Sequence, residues 1–376
     1  MLDDSAQRVT NPPDPAAPAA PVGRRRRLLW WVLGPLLGLL AVAAIGAALI
    51  RVPYVAIAPG SARSTAPSIV VPEDRSFPAQ GSISFTTVSV RDLTLFQALS
   101  GWLDPAVDVV PSEDQRGGLS REESRQLNQV RMDNSKLVAK QVAFEKLGYQ
   151  VPVTGTGSLI SGVEPGTPAA EVLEPGDTIV GVDGQPVRVN EDLTGALVGR
   201  APGDALALTV ERAGSRTTEE ISITLVERPD QPGTPLIGVG IQTRDLSYEF
   251  PFPVEIDSGE VGGPSAGLAF TLGLLDRLTP GELTGGAAVA VTGTIEPDGS
   301  IGPVGGVVQK TEAVKAAGIE LFIVPSAEYD QALAHASDGL RIAKADTLDE
   351  ALEILGSVGG NALALGSPGT EAAAGT

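Results

Sequence analysis

The sequence predicts an α+β protein that carries an inserted β-rich block and is preceded by one transmembrane helix. Three observations support this prediction. Residues 28–50 are apolar and contain no charged residue. Residues 151–228 form short apolar–polar runs separated by Gly and Pro, a pattern typical of a small β-rich domain. Residues 51–150 and 236–356 mix strand-like runs with segments of helical periodicity.

Residues 1–27 are predicted to be a disordered cytoplasmic tail, because they lack apolar periodicity. The tail ends in the basic run Arg24–Arg27. Residues 28–50 are long enough as a helix to cross roughly 30 Å of hydrocarbon. Four arginines precede the segment and one basic residue, Arg51, directly follows it. This bias in positive charge predicts a single-pass cell-membrane protein whose later domains are extracytoplasmic. A cleaved signal peptide is the alternative, although its apolar core would be longer than usual.

Residues 51–150 are interpreted as a linker and the first part of the α+β domain. Within them, residues 81–90 predict a strand, and residues 122–147 predict a helix that Gly148 ends. The inserted block at 151–228 contains predicted strands at 158–163 and 178–182 and a short helix that begins at Asn190.

Residues 228–233 then predict a linker. The second part of the α+β domain, 236–356, contains predicted helices at 265–278 and 307–317 and strands at 287–295 and 321–324. Residues 357–376 are predicted to be a disordered tail.

The composition argues against several classes of function. The net charge of −19 disfavours nucleic acid and anionic lipid as general partners, because an acidic surface repels both. Because the chain contains no Cys, it has neither disulfides nor thiolate metal sites. His335 is the only histidine, so no metal site and no cofactor are predicted.

Ser265 is the candidate nucleophile. It lies in a Gly-rich turn that leads directly into an apolar helix. Free backbone N–H groups at a helix N-terminus stabilise negative charge on a serine oxygen or an oxyanion. We therefore predict that the backbone of Gly263, Pro264 and Ala266 forms the oxyanion loop. A plain N-cap serine in a Gly/Pro loop is the alternative interpretation.

Lys310 is the candidate base for this serine. In the helix that begins at Val307, residues 307, 310, 311 and 314 share one face, and Val307 and Val314 make that face apolar. A lysine in such a stripe is desolvated, which lowers its pKa and leaves it able to accept a proton. A side chain that extends past the valines to solvent is the alternative.

The order of three motifs resembles the proteolytic domain of the Lon family. The motifs are Gly263-Pro264-Ser265-Ala266-Gly267, Val291-Thr292-Gly293-Thr294-Ile295 and Gly305-Gly306-Val307-Val308-Gln309-Lys310. The resemblance implies a ribosomal-protein-S5-like α/β fold, a Ser265–Lys310 dyad supported by Thr292, and a homo-oligomeric ring. The resemblance covers roughly 81–150 and 236–356. This sequence lacks the acidic residue that usually precedes the Pro-Ser-Ala-Gly motif in the family.

The block at 151–228 resembles a PDZ domain of the bacterial protease type. The resemblance rests on residues 158–163, 165–170 and 175–179 and on the helix from Asn190. It implies that a peptide adds as a strand beside 158–163, against the helix. The groove residues are then Leu159, Ile160, Leu193 and Leu197.

Together these resemblances imply an ATP-independent serine endopeptidase that acts on unfolded or membrane-proximal polypeptides. No Gly-Lys dipeptide occurs, so the chain has no Walker A loop and no nucleotide partner is predicted. Two alternatives remain. One is a membrane-tethered PDZ scaffold with an inactive protease-like domain, and the other is an α/β-hydrolase with a G-x-S-x-G elbow that uses His335.

Overall fold

The computed structural model describes residues 23–215, 217–229 and 231–361. The chain divides into two compact units, one formed by Met1–Ala56 and Val90–Gln115 and the other by Ile57–Ser89 and Arg116–Thr376. Most of both predicted tails lies outside the described residues. Two corrections apply at their edges: residues 23–27 already belong to a helix, and residues 357–361 are ordered because Asn361 hydrogen-bonds to Glu282 and Pro280.

The helices of the described residues, in chain order, are α1 (Gly23–Leu49), α2 (Leu95–Gly101), α3 (Ser112–Arg116), α4 (Arg121–Lys146), α5 (Asn190–Gly195), α6 (Gly267–Leu278), α7 (Val307–Ala316), α8 (Tyr329–Ala334) and α9 (Leu348–Ser357).

The strands are β1 (Arg51–Ser64), β2 (Ile69–Val70), β3 (Ser82–Thr94), β4 (Asp108–Pro111), β5 (Val153–Thr154), β6 (Ser158–Val163), β7 (Thr178–Val182), β8 (Gln185–Pro186), β9 (Ala205–Glu211), β10 (Thr218–Thr224), β11 (Val226–Arg228), β12 (Gln231–Leu236), β13 (Val239–Thr243), β14 (Ser247–Tyr248), β15 (Glu255–Ile256), β16 (Ala288–Val291), β17 (Leu321–Val324) and β18 (Arg341–Lys344).

The smaller unit contains α1, α2, β4 and the adjoining ends of β1 and β3. Ala56, Leu93 and Ala98 are its buried centre. Thr94 begins α2 with a capping box that Gln97 completes. Among the helices that the structure describes, none combines the length and the apolar character needed to cross a membrane. The helix that the sequence predicts at 28–50 is present as part of α1. The structure does not support its predicted role as a membrane span.

The larger unit is built on a sheet in which β18, β17, β16 and β3 pair in parallel. Successive strand residues point to opposite faces of a sheet. Val289 and Val291 accordingly pack into one core, whereas Ala290 packs into another. Helices α4, α6 and α9 contribute to the first core, and α7 and α8 contribute to the second. The predicted mixture of helix and strand is confirmed.

The β-rich block has its own sheet, with strand order β10-β9-β7-β6-β13. Two predictions about its C-terminal boundary are wrong. Much of the expected linker at 228–233 belongs to a hairpin, because β11 pairs with β12. Residues after 236 do not yet belong to the larger domain, since Ile237, Val239 and Ile241 pack into the core of the β-rich block.

The chain enters and leaves the β-rich block side by side, because β5 pairs with β14. One hydrophobic core of the larger domain contains residues from both sides of the block, from Ile69 to Val151 and from Val254 to Leu355. After β14 the chain crosses α4, where Phe250 and Phe252 pack on Phe144 with ring centroids 5.7 and 4.9 Å away. These contacts lead the chain toward the turn that carries Ser265.

Candidate active site

Ser265 lies half-buried in a short 3-10 helix, Pro264–Ala266, immediately before α6. Gly263 precedes it with φ +92° and ψ 150°, a conformation that side chains rarely adopt. The strand before the turn, β15, ends at Ile256, and residues 257–263 are irregular. The strand-to-serine elbow of an α/β-hydrolase is therefore not formed here, which argues against that alternative.

Helix α4 holds the serine turn from one side. The Gly263 amide donates to the Asn128 carbonyl at 2.8 Å, and the hydroxyl of buried Ser135 donates to the Pro264 carbonyl at 3.0 Å. A Cβ on Gly267 would come within 2.7 Å of Ser135 Oγ and 2.9 Å of Ile295 Cγ2, so a side chain at this position would force these neighbours to move. Neither Asn128 nor Ser135 was predicted. Their partners lie more than 120 positions away in the sequence, and no local pattern indicates a contact over that distance.

The segment after β16 holds the serine from the other side. The Gly293 amide donates to the Ser265 carbonyl at 3.0 Å, and the Thr292 hydroxyl donates to the same oxygen at 3.3 Å. Leu268 N–H donates to the Gly293 carbonyl at 3.2 Å. The predicted strand at 287–295 ends earlier, at Val291, which frees Thr292 and Gly293 for these contacts.

Lys310 lies in the first turns of α7 and is 2% exposed. Its Nζ donates to Thr292 Oγ1 at 3.0 Å. Burial lowers the pKa of this amine to about 8, and the negative charge of Glu328 partly opposes that shift. The alternative in which Lys310 reaches solvent is therefore wrong.

Thr292 links the two halves of the predicted dyad. It accepts from Lys310 and donates to Ser265, so the three predicted residues lie in one hydrogen-bonded group. Glu328 was not predicted. It closes the short helix after β17, and its Oε2 is buried without a hydrogen-bond partner among the described residues.

The predicted oxyanion loop needs one correction. The Gly263 amide is already bonded to Asn128, and Pro264 has no N–H. Gly267 N–H donates to the Pro264 carbonyl inside the short helix. Because the first amides of a helical segment lack an intrahelical acceptor, the N–H of Ser265 is the better candidate for an oxyanion donor.

The predicted peptide groove in the β-rich block also changes. Both edges of β6 are paired, one with β7 and the other with β13, so no peptide can add beside Leu159 and Ile160. Ile160 and Leu193 are buried in the core, 1% exposed each, and Leu197 packs on that core. The outer edge of β13 ends this sheet among the described residues.

Helix α5 adjoins β13, since the Asn190 amide donates to Thr243 Oγ1 at 3.0 Å. The sequence Ile237-Gly238-Val239 precedes this edge, and Gly238 has φ +90°. This apolar-Gly-apolar turn leads directly into β13.

No metal centre is formed by clustered donors in the described part of the chain, where no group of three or more His, Asp or Glu side chains could hold a metal ion. His335 follows α8, and its Nδ1 lies 3.0 Å from the Gln331 carbonyl. The backbone carbonyl of His335 accepts from Lys315.

Two family models match the chain in the regions just described. Residues 142–225 match the PDZ domain, and residues 254–356 match the Lon protease (S16) C-terminal proteolytic domain. The second match contains Ser265, Thr292 and Lys310. The fold and the site thus define a protein that joins a PDZ domain to a proteolytic-type α/β domain. More specifically, the α/β domain is similar to the Lon proteolytic domain over residues 254–356.

Several curated proteins resemble parts of the chain. Lon protease 2 of Bacillus subtilis is 34% identical over 117 residues, which cover 31% of this chain and 20% of that protein. A Brucella suis protein provisionally named a zinc metalloprotease is 41% identical over 112 residues, which cover 29% of this chain and 28% of that protein. The magnetosome formation protease MamE of Paramagnetospirillum magneticum is 43% identical over 88 residues, or 23% of this chain and 11% of that protein. The chain therefore spans less than a third of the length of each of these relatives.

Among solved structures, two resemble about a quarter of the chain. The PDZ domain of an SdrC-like protein from Listeria innocua is 29% identical and covers 23% of this chain and 92% of that chain, with a TM-score of 0.21. A protein from Geobacillus thermodenitrificans is 32% identical and covers 23% of this chain and 95% of that chain, with a TM-score of 0.21.

Proposed function

We propose that this protein is an ATP-independent serine endopeptidase in which Ser265 is the nucleophile and Lys310 is the general base. The observation that carries the proposal is the hydrogen-bonded group at the start of α6: buried Lys310 donates to Thr292, and Thr292 donates to the carbonyl of Ser265. A serine hydroxyl is a weak nucleophile until an adjacent base removes its proton. A desolvated lysine with a pKa of about 8 is such a base near neutral pH.

The first half of the reaction forms an acyl-enzyme. Neutral Lys310 accepts the proton of Ser265 Oγ as that oxygen bonds to the scissile carbonyl carbon, and the carbonyl oxygen becomes an oxyanion. The Ser265 N–H stabilises this charge. When the C–N bond breaks, the ammonium of Lys310 returns its proton to the leaving amine.

The second half releases the acyl group. Lys310 accepts a proton from water as the water oxygen attacks the ester carbon, and the ammonium then protonates Ser265 Oγ as the ester bond breaks. Thr292 is proposed to orient Nζ throughout, because its hydroxyl accepts from that atom. Every proton removed is returned, so neither a metal nor a nucleotide is required.

The PDZ domain is proposed to bind an extended peptide along the outer edge of β13, next to α5. Main-chain hydrogen bonds at a free sheet edge provide affinity in this mode. The bound peptide is either substrate or a regulator of the active site. A Val239→Pro variant removes one amide of this edge, and unchanged peptide binding by that variant would contradict the assignment.

The catalytic and PDZ domains are proposed to act at the outer face of a cell membrane. The support is the basic run Arg24–Arg27, the apolar segment 28–50 and the exposed side chains of Trp31, Leu39 and Leu49 on α1. Protease protection in sealed cells tests this location, and complete protection of the catalytic domain would contradict it. A homo-oligomeric ring is proposed by resemblance alone, and a monomeric mass at all concentrations would exclude it.

The enzyme assignment is tested with the full chain in detergent. Unfolded casein is supplied with and without ATP to the wild type, Ser265→Ala and Lys310→Ala. Lys315→Ala is the matched control, because Lys315 lies on the same helix but pairs with Glu312 at 2.8 Å. We expect ATP-independent cleavage by the wild type and the control, and none by the two dyad variants.

Equal cleavage by all four proteins would place the activity elsewhere. If no protein cleaved while peptides still bound, the PDZ scaffold interpretation would replace the peptidase. If cleavage occurred only with ATP, the ATP-independent part of the proposal would fail.

A further inference from the structure

Helix α2 directs an apolar face away from its own unit. Leu95, Phe96, Leu99, Trp102 and Leu103 are 37, 58, 51, 57 and 86% exposed. With about 100° per residue along a helix, these five positions fall within an arc of about 120°. Trp102 still has helical angles, φ −66° and ψ −15°, so the stripe continues past the last residue of α2.

This arrangement is the reverse of a surface helix in a soluble domain, whose apolar stripe faces the core. Of the apolar residues in α2, only Ala98 is buried. The chain carries no charged side chain from Leu93 to Leu103. An exposed, uncharged apolar stripe of this size marks a binding surface.

The neighbour of α2 indicates what covers the stripe. Helix α1 packs against α2 in the same unit, and the exposed apolar side chains of α1 include Leu33, Leu36, Leu37, Val42 and Leu49. At about 100° per residue these positions point in several directions around the α1 axis, so apolar side chains are exposed on more than one side of that helix. Continuity of the two exposed surfaces therefore favours lipid over a single protein partner.

We infer that the apolar face of α2, from Leu95 to Leu103, lies in the interfacial layer of a bilayer. Amphipathic helices of this kind insert their apolar side chains at the boundary between headgroups and acyl chains. Trp102 suits that layer, since indole rings favour the interface, and it packs edge-on against Tyr54 with centroids 6.0 Å apart. The inference rests on the proposed membrane location but is independent of the peptidase activity.

The charge of the protein determines the lipid preference. With a net charge of −19 and no basic residue between Leu93 and Leu103, the attraction is apolar and not electrostatic. Binding of α2 is therefore expected in neutral phosphatidylcholine, and the addition of anionic phosphatidylglycerol is not expected to strengthen it.

The test uses the full chain with Trp30→Phe and Trp31→Phe, which leaves Trp102 as the only tryptophan. The protein is reconstituted in phosphatidylcholine vesicles with brominated acyl chains, and vesicle flotation is measured in parallel. An interfacial helix lies about 5–10 Å into the headgroup–acyl boundary, so bromine is expected to reduce Trp102 emission by roughly twofold or more. Aqueous acrylamide is expected to quench it little.

Two further variants separate an effect on the stripe from a general loss of folding. Leu103→Glu changes the most exposed side chain of the stripe and is expected to abolish the bromine quenching, whereas Val198→Glu, 83% exposed in the PDZ domain, is expected to leave it intact. If the protein floats but Trp102 is quenched by acrylamide and not by bromine, the inference is overturned and the membrane location survives. Protection from both quenchers would assign the stripe to a protein partner. If the protein does not float, both proposals fail together.

Discussion

At the scale of single residues, Thr292 is the centre of the site. Its hydroxyl joins Lys310 to Ser265, and its backbone leads into Gly293, which bonds to Ser265 as well. All three side chains could be selected from the sequence, because motif order and the apolar face of α7 point to them. Glu328 could not be selected, since an exposed-looking Ser-Ala-Glu turn carries no sign of the buried lysine beside it.

The pKa of Lys310 predicts how activity depends on pH. Only the neutral amine can accept a proton, and burial lowers its pKa to about 8. We expect kcat/KM to fall about tenfold for each pH unit below 8 and to level off above it. Initial rates on an unfolded peptide from pH 5.5 to 10 measure this, and a profile that is flat across the range would rule out a lysine base.

Glu328 predicts a shift of that profile. Its negative charge raises the pKa of Lys310 against the effect of burial. Glu328→Gln removes the charge, so the midpoint of the pH–rate profile is expected to move to lower pH. Glu312→Gln is the control on α7, because Glu312 pairs with Lys315 instead. A midpoint that stayed in place, or moved upward, would show that Glu328 does not act on Lys310.

At the scale of elements, α4 connects the two ends of the inserted block to Ser265, the proposed nucleophile. Its C-terminal half packs Phe144 against Phe250 and Phe252, and its middle holds the serine turn through Asn128 and Ser135. The apolar spacing and the stop at Gly148 allow the helix to be predicted from sequence. Its contacts with residues near 264 depend on how the chain returns from the PDZ domain.

Ser135→Ala tests the role of α4 in positioning. The change leaves the Pro264 carbonyl without its side-chain donor, and loss of such a bond costs about 1 kcal/mol. We expect kcat to fall roughly five- to tenfold with an unchanged pH midpoint, since Lys310 is not touched. Ser135→Thr is expected to restore activity. Asn134→Ala, an exposed neighbour, is the control, and an equal loss there would mean that the helix was damaged generally.

At the scale of the whole molecule, one buried carboxyl makes stability depend on pH. Asp276 on α6 is 7% exposed. Burial, together with the charge of Glu282, raises its pKa from 3.8 to about 6. The hydrogen bond from the Leu283 amide and the charge of Arg277 act in the opposite direction. The folded state then holds a proton that the unfolded chain has lost, so this residue lowers stability as pH rises from about 4 to 6. The destabilisation is fully present at neutral pH.

Asp276→Asn is therefore expected to raise the free energy of unfolding at pH 7.5. The shift corresponds to at most about 3 kcal/mol, and partial solvation reduces this to roughly 1–2 kcal/mol. The amide oxygen can still accept from Leu283 N–H. Denaturation at pH 7.5 and pH 4 measures the effect, with exposed Asp330→Asn as control. A gain of equal size at both pH values would refute the assignment to Asp276 ionisation.

The sequence by itself determined the candidate site residues and the local structure: the serine before α6, the lysine on the apolar face of α7, the threonine after β16 and the two resembled domains. These follow from motifs and periodicities that extend over a few residues. The tertiary structure alone decided which strands pair and which distant groups meet. Strand β13 lies about 80 residues after β6, and its alternating apolar residues fit either domain equally well; only the packing of Ile237, Val239 and Ile241 assigned it to the PDZ core and moved the free edge to β13. The same reason applies to Ser135, Glu328 and the outward face of α2, because contact and exposure are properties of the folded chain.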